Sequence, residues 1–96
     1  MWVLKASGSD DAMTFRLSPG SIKTMGRASG ADFVVDGALV SRLHCQITAG
    51  SESLDVLDLS STNGTFVNDQ RIERASVKRG DRLRVGRVEL LVDQQT

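Results

Sequence analysis

Ninety-six residues suffice for one hydrophobic core and leave little for a second. Hydrophobic residues make up 40% and charged residues 25% of the chain, as in an ordinary soluble globular domain, and no apolar run approaches the ~20 residues that span a bilayer. The formal net charge is zero, and Cys45 is the only cysteine, which excludes an internal disulfide and fits a reducing compartment.

The apolar residues recur with a period of two, the mark of strands with one face in water. In chain order the expected strands are 2–6, 13–17, 21–26, 32–35, 44–49, 53–58, 65–67, 71–72, 77–78, 82–85 and 88–93. Alternation is clearest where Met13, Phe15 and Leu17, then Cys45, Ile47 and Ala49, then Leu83 and Val85, are each separated by polar residues. Clusters of Gly, Ser, Asp and Asn punctuate the runs at 7–9, 18–21, 28–32, 50–53, 60–64 and 79–81. Many short strands with frequent turn signals, and no convincing amphipathic helix, predict an all-β sandwich or barrel. Asn68-Asp69 suits a turn with positive φ, and Gly86-Arg87 a two-residue hairpin with glycine in the first central position. The first residues, Met1 to Gly8, lack the pattern of a signal peptide, and no repeat or linker interrupts the chain. The expectation is a single domain over 1–96, with 94–96 reading as the start of a tail, located in the cytoplasm or, in a eukaryote, the nucleus.

Charge is unevenly spread. Residues 71 to 87 hold Arg71, Arg74, Lys78, Arg79, Arg82, Arg84 and Arg87 against Glu73 and Asp81, a net +5. Such a stretch could attract nucleic acid or an acidic peptide, although strands also need charged outward faces. With Trp2, Phe15, Phe33 and Phe66 as the only aromatics, base-stacking platforms are few, and nucleic acid is not the expected partner.

Catalytic readings fare poorly. His44 and Cys45 are adjacent, but successive side chains of a strand point to opposite faces, so sulfur and imidazole cannot meet. Ser41 and His44, with Asp58 or Asp36 as third member, form a conceivable triad, yet nothing resembles a nucleophile elbow. One histidine and one cysteine cannot supply the usual zinc ligands, and there is no glycine-rich nucleotide fingerprint. The expectation is a binding module without catalytic residues, metal or cofactor.

Small polar and basic groups recur where strands end: Gly26-Arg27, then Ser41-Arg42-Leu43-His44, then Asp58 through Ser61-Thr62-Asn63-Gly64 to Asn68. In this order and spacing they resemble the forkhead-associated (FHA) domain, a phosphothreonine-binding module, over nearly the whole chain. The resemblance implies an FHA/SMAD-like β-sandwich of two sheets and about eleven strands, with binding loops at one end and the termini together at the other. It implies that Arg27 grips phosphate, since a planar guanidinium donates two parallel bonds that lysine cannot reproduce. Ser41 is similar to the serine that donates to another phosphate oxygen, Arg42 to a basic residue reaching the phosphate or nearby peptide groups, and Thr62 to a further phosphate contact. Asn63 resembles the asparagine that holds the bound peptide's main chain. Gly26, His44, Gly64 and Asn68 match positions that support the site: close packing before Arg27, a buried brace for the Ser41 loop, a costly turn conformation, and an amide tie to a neighbouring loop. Cys45, where alanine is frequent in the family, and Asp69, where glycine is, are the departures.

The implied partner is a phosphothreonine-containing protein downstream of a Ser/Thr kinase, bound by a monomeric domain without membrane insertion. The alternative is a phosphate-independent protein–protein interaction domain of the same fold.

Overall fold

A computed structural model of the chain describes residues 1–6 and 13–95. The turn signal at 7–9 and the last residue of the expected tail lie outside these residues. Among the described residues there is no helix, so none is long and apolar enough to cross a membrane.

The described residues form eleven strands: β1 Trp2–Ala6, β2 Thr14–Leu17, β3 Ile22–Gly26, β4 Phe33–Val34, β5 Cys45–Ala49, β6 Leu54–Asp58, β7 Thr65–Val67, β8 Gln70–Ile72, β9 Arg74–Val77, β10 Arg82–Val85 and β11 Val88–Gln94. They form a six-stranded sheet in the order β2-β1-β11-β10-β7-β8 and a five-stranded sheet in the order β4-β3-β5-β6-β9. All the neighbour pairings are antiparallel except that of β3 with β4.

The alternation in the sequence becomes the packing of the β-sandwich. Cys45, Ile47 and Ala49 of β5 and Leu83 and Val85 of β10 are buried in the common core, with Trp2, Leu4, Leu54, Val56, Leu90 and Val92 from neighbouring strands. Phe15 and Phe33 stack at the margin, ring centroids 4.7 Å apart. The Trp2 indole N–H is satisfied by the Gly50 carbonyl at 2.8 Å, so this large ring is fully buried without an orphaned donor.

Local turn chemistry sets the register. Asn68 and Asp69 take φ +50° and +69°, which leaves Val67 opposite Gln70. Gly86 takes φ +57° in the first central position of its hairpin, leaving Val85 opposite Val88. The strand expected at 77–78 lies instead at Arg74–Val77. It stops there because Asp81 captures the Lys78 amide through its carboxylate (2.8 Å) and returns its own amide to the Lys78 carbonyl (3.0 Å), closing a turn. Met1 and Gln95 pair through their backbones at one end of the sandwich. The ends of β3 and β6, the starts of β5 and β7, and the β10–β11 hairpin meet at the other.

Candidate functional site

Three loops converge at this end: 27–32 after β3, 35–44 before β5, and 59–64 between β6 and β7. The first two are zipped together by backbone bonds that continue the β3–β5 ladder, from Arg27 N–H to the Ser41 carbonyl (2.9 Å) and from Ala28 N–H to that of Arg42 (3.0 Å). Gly26 makes this approach possible. A Cβ there would lie 2.1 Å from the Arg42 carbonyl oxygen, a backbone atom that no rotamer change can move. Gly26→Ala is therefore expected to lower stability by about 1–3 kcal/mol or more, read from the urea midpoint. A variant as stable as the parent would show that the zip opens at no cost.

Arg27 emerges directly from the zip. Its Nε–H donates to the Val40 carbonyl at 3.1 Å, which fixes the guanidinium and leaves its terminal nitrogens directed away from that bond. Ser41 is placed by two contacts. Its backbone N–H donates to Nδ1 of His44 (3.0 Å), and its hydroxyl oxygen accepts the Thr62 N–H (3.0 Å). Because Oγ accepts in that bond, its proton remains available for an incoming acceptor. Asn63 reaches across to the 35–44 loop, its Nδ2 donating to the Leu39 carbonyl at 3.1 Å.

His44 is fully buried beneath these loops. Nδ1 accepts from Ser41, and Nε2, 2.8 Å from the Gly64 carbonyl oxygen, must donate to it. Both nitrogens are thus used by a neutral imidazole with its proton on Nε2. The conceivable triad is not assembled: Ser41 meets the ring through its backbone rather than its hydroxyl, and neither nitrogen bonds a carboxylate. Cys45 faces the core, where burial foremost, and then the neighbouring Asp58 charge, push its thiol up to about 12, so it is no thiolate at neutral pH.

The 58–65 turn carries a brace that the sequence reading did not assign. The Asp58 carboxylate accepts the Ser61 hydroxyl (2.5 Å), the Ser61 N–H (3.2 Å) and the Thr65 hydroxyl (2.8 Å). The Ser61 oxygen then accepts the Gly64 N–H at 3.0 Å. Gly64, at φ +91°, turns the chain into β7 in a conformation that side-chain-bearing residues rarely adopt. The signal was present: an acceptor at 58, a hydroxyl three residues on and a glycine three further is the spacing of side-chain-to-backbone turn bonds. Burial opposes ionisation of Asp58, but the hydroxyls of Ser61 and Thr65 and the Ser61 N–H outweigh it and hold the carboxyl below its ordinary value of 3.8. A depressed carboxyl contributes stability above its unfolded pKa, and that contribution is lost as pH falls through the folded value. The thermal midpoint should therefore drop as pH falls below the ordinary carboxylate range, and Asp58→Asn should flatten that part of the profile. An unchanged profile in the variant would assign the acid sensitivity elsewhere.

Arg27, Ser41, Thr62 and Asn63 share the lining of one open depression of about 170 Å³, with Ala38, Leu39 and Val40 as its apolar side. Arg42 lies with Arg27 and Ala28 on an adjoining depression of about 130 Å³. Among the described residues no carboxylate lines either, and the ion pairs lie elsewhere, at Arg74–Asp55, Arg79–Asp93 and Arg82–Asp69. A larger depression, about 600 Å³, lies on the other flank of the 58–64 loop, where Asp58 and Glu73 offset the single cation Arg71. Asn68 does not lie beneath the loops with Gly26, His44 and Gly64. It sits at the far end of β7, where its amide donates to Asp81 (3.1 Å) and accepts the Arg82 N–H (2.9 Å). Its tie is to the turn before β10, because β7 carries it about 13 Å from Gly64 at the usual rise per residue.

Residues 23–86 match the model of the FHA domain family. Among solved structures, an FHA domain studied for its phosphothreonine-dependent interactions is 29% identical, superposes with a TM-score of 0.89, and is matched over 99% of this chain and 97% of its own. The FHA domain of FhaA, solved in complex with the intracellular domain of Rv3910, is 30% identical with a TM-score of 0.87, over 96% of this chain and 99% of that one. The glycogen accumulation regulator GarA of Mycobacterium tuberculosis is 31% identical over 71 residues, which is 74% of this chain and 44% of GarA. The chain spans less than half the length of the curated relatives it matches.

Proposed function

The chain belongs to the FHA domain family, and we propose that it binds phosphothreonine-containing segments of partner proteins in Ser/Thr kinase signalling. The carrying observation is the convergence of Arg27, Ser41, Thr62 and Asn63 on one depression that no carboxylate of the described residues lines, with the Ser41 hydroxyl proton unspent. A phosphothreonine brings roughly −1.5 to −2 charges and three acceptor oxygens to this surface. Arg27 supplies the planar fork, Ser41 a hydroxyl donor and Thr62 its hydroxyl, while Arg42 adds charge from the neighbouring depression. Asn63, anchored on Leu39, retains an amide oxygen and a second amide hydrogen for the peptide backbone. The reaction is binding alone, without catalysis, and the expected setting is the cytoplasm.

Each hydrogen bond to a charged group contributes about 1.5–3 kcal/mol, and desolvation and peptide ordering offset much of the total. The net expectation is micromolar affinity, about −8 kcal/mol. Calorimetric titration with a degenerate phosphothreonine peptide library, beside the same library unphosphorylated, tests the reading. Saturable binding of the phosphorylated library alone is the expected result. Equal binding of both, or of neither, would overturn it.

A further inference from the structure

The two outward sheet faces differ in charge. On the five-stranded sheet, Asp55 and Arg74 lie near one another on β6 and β9 and neutralise each other across 3.0 Å. On the six-stranded sheet the cross-strand register sets Arg71, Phe66, Arg84 and Glu89 in one row across β8, β7, β10 and β11. A second row sets Arg82, Leu91 and Lys5 across β10, β11 and β1. The Arg84 guanidinium lies 4.2 Å from the Phe66 ring centroid, whereas the Arg71 side chain runs beside Gly64 into the depression it shares with Asp58 and Glu73. Leu91 is 44% exposed between its two cations. Arg71, Arg84 and Lys5 have no ion-pair partner among the described residues, and the Arg82–Asp69 pair is well exposed on both sides, hence weak and open to exchange.

Solubility alone would scatter both signs over both faces. An excess of cations on one face, beside Glu89 and the Arg79-paired Asp93 and around an exposed aliphatic side chain, is the pattern of a recognition surface. We infer that this face is a second docking surface, for an acidic segment of a protein partner that sets carboxylates against Arg84, Arg82 and Lys5 and an apolar side chain against Leu91. Nucleic acid fits less well: the Phe66 ring is already covered by Arg84 and offers no stacking platform. The inference is independent of phosphate recognition at the loops.

Amide-shift mapping on the isotopically labelled chain tests it, with an unphosphorylated glutamate-rich peptide carrying one central leucine as probe and oligo-dT as competitor. The expected result is saturable, salt-sensitive shifts in β7, β10 and β11 that persist in Arg27→Ala. The double variant Lys5→Glu/Arg84→Glu should bind the peptide roughly tenfold more weakly. If that variant fails to fold, Lys5→Gln/Arg84→Gln serves, with a smaller loss in the same direction. Absence of saturable shifts, shifts confined to the three loops, unchanged affinity in the variants, or tighter binding of oligo-dT at this face would each overturn the inference.

Discussion

Arg27→Ala is expected to weaken binding of a phosphothreonine peptide at least about tenfold while the domain remains folded. The side chain leaves the zip between Gly26–Ala28 and Ser41–Arg42 with only one intramolecular bond, from Nε to the Val40 carbonyl. The zip itself is made of backbone groups that survive truncation, so the loss in stability should stay near the ~1 kcal/mol typical of one hydrogen bond. The ligand loses more. A guanidinium forks two parallel bonds onto phosphate oxygens, each charge-assisted and worth about 1.5–3 kcal/mol, and a tenfold change requires only about 1.4 kcal/mol. Arg27→Lys keeps the charge but neither the fork nor the Val40 anchor, and should fall between the two. Calorimetry with one phosphopeptide and a thermal melt of each variant measure both sides. Affinity within threefold of the parent in Arg27→Ala would remove Arg27 from the phosphate contacts.

The second large effect belongs to a residue that the ligand does not touch. His44→Ala should cost roughly 3 kcal/mol or more of folding stability and take binding down with it. Truncation empties a fully buried site and orphans two backbone groups at once, the Ser41 N–H and the Gly64 carbonyl. Each unsatisfied group costs about 1–3 kcal/mol, before the cavity is counted. Since one of these groups belongs to the Ser41 loop and the other to the 58–65 turn, both walls of the depression lose their common support. Urea unfolding should show a lower midpoint at unchanged slope. A stable variant with lost binding would contradict the bracing role and return His44 to the ligand.

The elements legible in the sequence were those whose physics is local. Alternation in 44–49 and 82–85 dictates strands because one face must be buried, and the turn chemistry of Asn68-Asp69 and Gly86-Arg87 appears as positive φ at Asn68, Asp69 and Gly86. Strand β9 was misplaced because Arg74, Ala75 and Ser76 carry little apolar pattern, and their partner is β6, some twenty residues earlier. Neither the parallel pairing of β3 with β4 nor the assignment of strands to sheets follows from periodicity, which names a buried face but not its neighbour. At the site, residue types and order were informative about Arg27, Ser41, Thr62 and Asn63, which the fold gathers on one depression. The support beneath them was less legible. Asp58, which heads the polar run without a role of its own there, is the hub of a turn, and Asn68 serves the far end of its strand.

The three loops are laced to one another by the chain's own bonds: Arg27 to Val40, Thr62 to Ser41, and Asn63 to Leu39. The kinetic consequence is that little rearrangement need precede or follow encounter. Association should then be limited by diffusion and orientation, quickened by the uncompensated guanidiniums and slowed as salt screens them. Peptides differing around the phosphothreonine should arrive at similar rates and differ mainly in how long they stay.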